Sequence, residues 1–203
     1  MEPTTLETPR LLLGQFAEAD IDTITAVCQD AQLQPMTSVP VPYTRAHAEG
    51  FVREIIPQGW ITETLLNFGV FRKDTGALVA SVGIHGRQFR TDGNAEIGYW
   101  TAPEQRRQGF TAEAVAAVCD WAFAELGVVR MEWRAVAGNV GSRAVAEKVG
   151  FRFEGTLRGG TVHHGKRSDT WIGGLLSRDR AGREHPGGDR VSTDHATRPE
   201  RGA

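Results

Sequence analysis

The sequence predicts a mixed α/β (α+β) domain, because strand-like and helix-like segments alternate along most of its 203 residues. Short apolar runs of strand type, such as "AEIGYW" at 95–100, are separated by longer stretches whose apolar residues recur at helical spacing. Two further strand-like runs flank "DTG", which is typical of a β-hairpin. Apolar residues make up 40% of the chain, which is enough for a sizeable core.

Each element has a local signal. Thr44 follows a proline-rich link and is a candidate N-cap. From Val115 to Leu126, apolar residues recur at i, i+3 and i+4, which predicts an amphipathic helix that ends at Gly127. Asn139 is a candidate cap for a further short helix. The predicted strands are 10–16, 67–73, 77–85, 95–100, 129–137, 151–160 and 168–177. The predicted helices are 17–30, 45–56, one with its apolar residues over 115–126, and a short one over 138–150.

The end of the chain has a different composition. From Arg178 onward the charges are mixed, and Val191 is the only sizeable apolar residue. Such a segment buries too little surface to offset its ordering entropy. We therefore predict a folded domain over 6–177 and a disordered polar tail over 178–203.

The bulk properties exclude several classes of protein. The formal net charge is -2, whereas nucleic-acid binders usually carry a basic excess. No apolar stretch approaches the roughly 20 residues that span a bilayer, and the start lacks the features of a signal peptide. Cys28 and Cys119 are far apart in apolar stretches and are interpreted as buried free thiols. These observations predict a cytoplasmic protein without nucleic-acid or membrane partners.

The stretch "EQRRQGFTAEA", at 104–114, is the first candidate site. A strand ends, a glycine-bearing turn follows and a helix begins, so several backbone N–H groups converge at the positive end of a helix dipole. Arg106 and Arg107 add full charges. The pattern is typical of a phosphate or pyrophosphate site, although an ordinary solvated turn around Gly109 has the same composition.

Five elements in order give this turn a context. They are "LETPRLLL" at 6–13, "AEIGYW" at 95–100, the basic glycine turn, Asn139 with Ser142, and "EKVGFRFEGTLR" at 147–158. Together they resemble the GCN5-related N-acetyltransferase (GNAT) superfamily, in particular its RimJ/RimL-like branch of ribosomal-protein N-terminal acetyltransferases. The resemblance covers 6–177.

The resemblance implies a fold and a co-substrate. The implied GNAT fold is a central, mixed, mostly antiparallel and strongly twisted sheet of about seven strands, with helices on both faces and a splay between the fourth and fifth strands. The implied co-substrate is acetyl-CoA, with no metal, and the branch also implies a homodimer.

The resemblance assigns a cofactor-binding set. The phosphate loop is Arg106, Arg107, Gln108, Gly109, Phe110 and Thr111, whose backbone amides are expected to bind the pyrophosphate. Threonine stands at 111, where the family has a small residue. The pantetheine arm is expected to pair with the backbone of Tyr99, Trp100 and Thr101, and Asn139 and Ser142 match further cofactor-side positions.

Two side chains are candidates for the chemistry. Glu96, on the strand that leads to the thioester, is the candidate base acting through a water, or alternatively a surface glutamate paired with an arginine. Ser142 is the candidate that protonates the sulfur, or alternatively a first-turn residue of the helix that Asn139 caps. Ala146 stands where many superfamily members have a tyrosine acid, and a thiol pKa near 8.5 makes that acid less necessary.

The acceptor is predicted from amine chemistry. At neutral pH an α-amine of pKa about 7.7–8.0 is far more often neutral than a lysine of pKa about 10.4. The order of expectation is therefore a protein N-terminal α-amine, a small-molecule amine and a protein lysine, with a non-catalytic acyl-CoA sensor as a different class. The loops at 33–44 and 87–94 are expected to set specificity, and Asp169 and Trp171 are candidates to line the acceptor groove. His163–His164 is interpreted as a turn rather than a metal site.

Overall fold

The computed structural model describes residues 1–86 and 90–180, and within them the strands form one eight-stranded sheet. The strand order is β1-β2-β3-β4-β5-β6-β8-β7, and every neighbouring pair is antiparallel except β5–β6. The strands are β1 Leu6–Glu7, β2 Leu11–Gly14, β3 Leu65–Arg72, β4 Leu78–His85, β5 Asn94–Thr101, β6 Arg130–Val136, β7 Arg152–His163 and β8 Lys166–Leu176.

Helices cover both faces of the sheet. Their bounds are α1 Ile21–Cys28, α2 Arg45–Gly50, α3 Ile56–Thr62, α4 Phe110–Glu125, α5 Val140–Val149 and α6 Ser177–Arg180, with a π turn at Phe51–Ile55 joining α2 to α3. On one face α3, α4 and α5 bury a large core that contains Trp60, Phe68 and Val115. On the other face α1 and α2 pack against a smaller cluster that includes Leu78, with Trp100 beside it. This two-sided cover explains why β4 reads as a continuous apolar run rather than an alternating one.

The feature that positions the site is the splay between β5 and β6. These parallel strands pair only from Asn94 to Ile97 on β5 and from Arg130 to Trp133 on β6. Both strands then continue, to Thr101 and Val136, without pairing with each other. A gap therefore opens in the middle of the sheet, between the fourth and fifth of the strands that the sequence predicts.

The structure confirms the predicted mixed fold and most of its elements. Thr44 and Asn139 stand at the N-caps of α2 and α5, as expected, and Gly109 occupies the N-cap position of α4. The sequence missed β1, because a two-residue strand has no periodicity to detect. It also shortened the β7–β8 hairpin by leaving out 161–163 and 166–167, because this outer end alternates too weakly to be recognised as strand.

The chain's end and its cysteines can now be compared with the expectations. Residues 178–180, which the sequence assigns to the tail, belong to α6, where Arg180 forms an ion pair with Asp120; the rest of the predicted tail lies outside the described residues. Cys28 and Cys119 are buried free thiols, and burial raises the pKa of Cys28 to about 11. None of the helices in the described ranges is both long enough and apolar enough to cross a membrane.

Candidate functional site

The loop before α4 presents a run of unpartnered backbone amides. Arg107 and Gly109 both have positive φ, +62° and +79°, which curls the chain into the start of the helix. The N–H of Arg106 donates to Pro103 and that of Glu113 to Gly109. Among the described residues, the N–H groups between them, from Arg107 to Ala112, have no acceptor. Such a concave set of amides at a helix N-terminus is suited to an anion.

The side chains of this loop are largely committed to other contacts. The Arg106 guanidinium donates to Asp30 at 2.6 Å and to Gln32 at 3.0 Å, beyond the end of α1. The Gln108 side chain donates to the Glu104 carbonyl at 3.0 Å. Phe110 is buried beneath the Arg10 guanidinium, 4.4 Å from the ring centroid. What this loop offers an anion is therefore mainly its backbone, with the exposed Arg107 as a further charge.

Threonine at 111 has a defined partner. Its hydroxyl lies 2.7 Å from the Thr101 hydroxyl, and the residue is 5% exposed. The bond ties the first turn of α4 to the last residue of β5. The larger side chain is thus accommodated between helix and sheet, and its amide stays in the loop's unpartnered set.

Lys148 is a loop-side cation that the sequence analysis did not single out. Its Nζ lies 3.1 Å from the point that a Cβ on Gly109 would occupy. Within the described ranges it has no carboxylate partner, since Lys73 is the only lysine there with an ion pair. A lysine in the last turn of a helix is ordinarily explained by the helix dipole, so its position alone gave no signal.

The gap in the sheet exposes backbone groups of β5. The N–H of Ala102 donates to Val79 of β4 at 2.8 Å. In an antiparallel pair, alternate residues direct their backbone groups to the neighbouring strand. Tyr99 and Thr101 therefore direct theirs toward the gap, where the pantetheine arm is predicted, whereas the backbone of Trp100 is directed toward β4 and is not available to it.

Ser142 lies at the α5 side of this gap, within a hydrogen-bonded trio. Its hydroxyl accepts from Trp133 Nε1 at 2.9 Å and donates to the Tyr99 hydroxyl at 3.2 Å. Tyr99 in turn donates to the Ser142 carbonyl at 2.9 Å. The Asn139 side chain accepts from the Ser142 N–H at 3.1 Å, so Asn139 caps the helix while Ser142 faces the gap.

A cavity of 730 Å³ passes from this gap to the opposite face of the sheet. Its gap end is lined by Tyr99, Trp133, Asn139 and Ser142. Its far end is lined by residues of three strands, the loop at 36–40 and α2; they include Asn67, Ser81, His85, Glu96, Trp100, Met36, Val39, Tyr43 and His47. The size is that of a small-molecule or peptide-end pocket.

The predicted specificity loop and the closing hairpin meet over this cavity. His164 Nε2 lies 3.2 Å from the Gln34 carbonyl. Thr161 and Thr170 line the cavity and lie 2.6 Å apart through their hydroxyls. Asp169 and Trp171 flank Thr170 on the strand and are not among the lining residues, because alternate residues of a strand face opposite sides.

Glu96 lies on the cavity face of β5 and is half-exposed. Desolvation raises the pKa of its carboxyl; Arg134, 3.7 Å away, opposes this effect and Glu132 adds to it. Both readings made from the sequence therefore have a structural counterpart: a carboxylate with a raised pKa in the cavity, and a glutamate paired with an arginine.

Three further expectations concern the second specificity loop, metal binding and the pair of adjacent histidines. Residues 87–89 of the second predicted specificity loop lie outside them. Across 1–86 and 90–180 there is no cluster of three or more His, Cys, Asp or Glu side chains arranged to hold a metal ion. His163 and His164 sit at the hairpin turn, as predicted.

Known proteins resemble this chain in sequence and in fold. The acetyltransferase (GNAT) domain family matches residues 10–152. Uncharacterized N-acetyltransferase YoaA of Bacillus subtilis (strain 168) is 28% identical over 165 residues, which are 81% of this chain and 92% of YoaA.

Two solved structures share the fold. RimJ of Mycobacterium smegmatis, in complex with CoA-disulfide, is 21% identical, with a TM-score of 0.76 over 87% of this chain and 88% of RimJ. RimL, a ribosomal L7/L12 alpha-N-protein acetyltransferase in complex with coenzyme A, is 17% identical, with a TM-score of 0.75 over 85% of this chain and 98% of RimL. Because the family match spans well over half of the chain, the protein belongs to the GNAT family and is an acetyltransferase.

Proposed function

We propose that the protein transfers an acetyl group from acetyl-CoA to the α-amine at the N-terminus of a protein or peptide. The observation that carries the proposal is the run of unpartnered amides from Arg107 to Ala112, joined through Thr111 and Thr101 to the strand where the sheet opens. This arrangement places an anion site, the gap in the sheet and the cavity along one continuous path.

The residues present fit acetyl-CoA, which supplies a thioester with an activated acetyl carbonyl. The amides from Arg107 to Ala112 hold the pyrophosphate, and Lys148 adds a charge beside Gly109. Tyr99 and Thr101 offer backbone groups to the pantetheine arm in the gap. Both RimJ and RimL are described with a coenzyme A species bound, which supports the same use of this gap.

The chemistry then requires two proton transfers and the movement of two electron pairs. The amine nitrogen forms a bond to the acetyl carbon, and the carbon–sulfur bond breaks with its electron pair on sulfur. The nitrogen loses a proton toward Glu96, through a water, and the sulfur gains one from Ser142 or from solvent. Ser142 is held beside the gap by the hydrogen bond that its hydroxyl donates to Tyr99.

The cavity favours an N-terminal α-amine over the other acceptors. Its far end combines apolar walls with few charges, of which Glu96 and Arg134 already pair with each other. A polyamine or a lysine would require stronger negative charge or a stronger base, because each is almost fully protonated at neutral pH. The name of RimL, an alpha-N-protein acetyltransferase, supports the same class of acceptor.

The test follows release of CoA thiol from acetyl-CoA with three sets of amines. The sets are peptides with free N-termini, the same peptides N-blocked but containing lysine, and small amines such as polyamines and aminoglycosides. We expect release with free N-termini only, and a loss of about 10²-fold in Glu96→Gln. Release with small amines alone would reassign the acceptor, and binding of acetyl-CoA without release to any amine would favour the sensor class.

A further inference from the structure

Two glycines face each other on β4 and β5, and one of them, Gly98, lines the cavity. Gly83 and Gly98 are direct partners across the antiparallel pair. A Cβ on Gly83 would lie 2.6 Å from Asn67 Nδ2, and a Cβ on Gly98 would lie 2.9 Å from His85 Nε2. Neither position has room for a Cβ, because a polar side chain lies over each glycine.

The His85 ring lies over the point where the gap begins. Pairing between β5 and β6 ends at Ile97, so Gly98 is the first β5 residue beyond it. His85 itself is the direct partner of Glu96 across the strands. Its side chain nevertheless extends over Gly98, which places Nε2 farther toward the gap than the base of the Glu96 side chain.

The two residues differ in their partners. Glu96 is held by Arg134 at 3.7 Å. In the part of the chain that the structure describes, His85 has neither a hydrogen bond nor an ion pair, and it is open to the cavity. Desolvation by the surrounding protein holds the pKa of His85 below its ordinary value, so its ring is neutral at neutral pH and can accept a proton.

Other titratable groups face the same cavity. They are Glu96 and Tyr99 on β5, Arg134 on β6 with Glu132 beside it, His47 on α2, His163 on β7, and Tyr43 and Cys28 near α1. His47 is engaged in capping α2 through Thr44. Burial raises the pKa values of Tyr43 and Cys28, so neither accepts or releases a proton near neutrality.

We infer that His85 is a catalytic residue, which takes the proton from the acceptor amine while Glu96 stabilises the imidazolium that forms. The inference rests on the proposed function and makes His85, instead of Glu96 acting through a water, the group that takes the proton. As the nitrogen–carbon bond forms, the proton passes from nitrogen to His85 Nε2, and the electron pair of the broken carbon–sulfur bond stays on sulfur. The imidazolium then releases its proton to solvent, and the sulfur takes one from Ser142 or solvent.

The test compares His85 variants on whichever amine the wild-type protein acetylates. We expect kcat of His85→Gln to fall by about 10²-fold, with KM for acetyl-CoA changed by less than about twofold. Added imidazole should restore part of the activity of His85→Ala, which a purely structural role would not allow. Lys73→Gln, which changes an exposed lysine outside the cavity lining, is the control and should keep its kcat.

The possible outcomes distinguish a failure of this inference from a failure of the proposed function. A kcat of His85→Gln within about twofold of wild type would overturn the inference alone. So would a loss in His85→Ala that imidazole does not restore, or a loss of acetyl-CoA affinity as large as the loss of kcat. If the wild-type protein acetylated no amine in any set, the proposed function would fall and the inference with it.

Discussion

The guanidinium of Arg106 donates from Nη2 to Asp30 Oδ1 at 2.6 Å and so joins the α4 loop to the segment after α1. Both side chains are mostly shielded, at 30% and 20% exposure. The sequence suggested that Arg106 supplies charge to a phosphate. In the structure this guanidinium pairs with a carboxylate and thereby holds the loop in place, and its contact with a phosphate stays a prediction.

Two variants distinguish these roles by the sign of their effect. Asp30→Asn removes the carboxylate partner of Arg106 and leaves the arginine charged, whereas Arg106→Met removes the charge of the arginine. If Arg106 positions the loop, both variants weaken acetyl-CoA binding by a similar factor of a few, measured by calorimetry. Tighter binding by Asp30→Asn would instead show that Arg106 contacts the phosphate and is restrained by Asp30.

The same pair predicts a pH dependence of stability. The hydrogen bond from Arg106 holds the pKa of Asp30 below its ordinary value. The stabilisation is therefore complete above the unfolded-state pKa of about 3.9 and is lost as the pH falls through the lower folded-state value. In urea unfolding, the free energy of unfolding of wild type should exceed that of Asp30→Asn by about 0.5–1 kcal/mol at neutral pH. The difference should vanish once the carboxyl is protonated. An equal difference at both pH values would contradict the assignment.

Gly109→Ala should damage acetyl-CoA binding more than stability. Gly109 has φ +79°, and an added Cβ would lie 3.1 Å from Lys148 Nζ, at the mouth of the amide run. Gly76 in the β3–β4 turn has φ +70° and open space around its Cβ position, so Gly76→Ala is the matched control. Each variant should lose about 1 kcal/mol of stability, and only Gly109→Ala should lose about tenfold or more in affinity. Equal affinities would show that the loop does not hold the phosphates.

Lys148→Met should weaken acetyl-CoA binding by about tenfold and reduce its dependence on salt, because one charge beside the phosphates is removed. Lys73→Met is the control, since it removes the same charge from a lysine that pairs with Glu7. Binding measured at two ionic strengths checks both effects. If both variants bound acetyl-CoA as tightly as wild type does, the charge of Lys148 would interact only with the C-terminal end of its own helix.

The backbone-determined part of this site was predictable from sequence, because glycine turns, caps and strand ends leave local patterns. The amides after Arg106 and the Asn139 cap fall where those patterns place them. Side-chain partners across the sheet leave no such pattern. Nothing local indicates that Arg106 meets Asp30, 76 residues away, or that Ser142 meets Tyr99 across the gap.

The acceptor side was the least predictable part. His85 stands at the end of a strand, where a polar residue is common, and its importance depends on Gly98 of the neighbouring strand. That pairing is fixed by strand order and register, which the sequence predicts only through a family resemblance. Asn67 was missed for the same reason, since a polar residue in an apolar strand becomes meaningful only when Ser81 is seen to donate to it at 2.9 Å.

Ser142→Ala and Tyr99→Phe should separate the chemical role of the trio from its structural role. Removing the Ser142 hydroxyl leaves Trp133 Nε1 without its acceptor and should cost about 1–3 kcal/mol of stability. If Ser142 protonates the sulfur, its loss should lower kcat by only about tenfold, because a thiol of pKa near 8.5 departs with little help. Tyr99→Phe keeps the Ser142 hydroxyl and should show a smaller loss of kcat. A larger loss in Tyr99→Phe would identify the tyrosine as the acid.

A final pair of glycines tests the packing of the sheet apart from the site. A Cβ on Gly173 of β8 would lie 2.7 Å from the Arg152 carbonyl oxygen, so the strands would have to separate. We expect Gly173→Ala to cost about 1–3 kcal/mol, or several degrees in melting temperature. Gly50 ends α2 in helical conformation with nothing within 4 Å of its Cβ position, so Gly50→Ala should gain about 0.5–1 kcal/mol. Both variants add the same methyl group. A stabilised Gly173→Ala would therefore mean that β7 and β8 do not pack as closely as the register indicates.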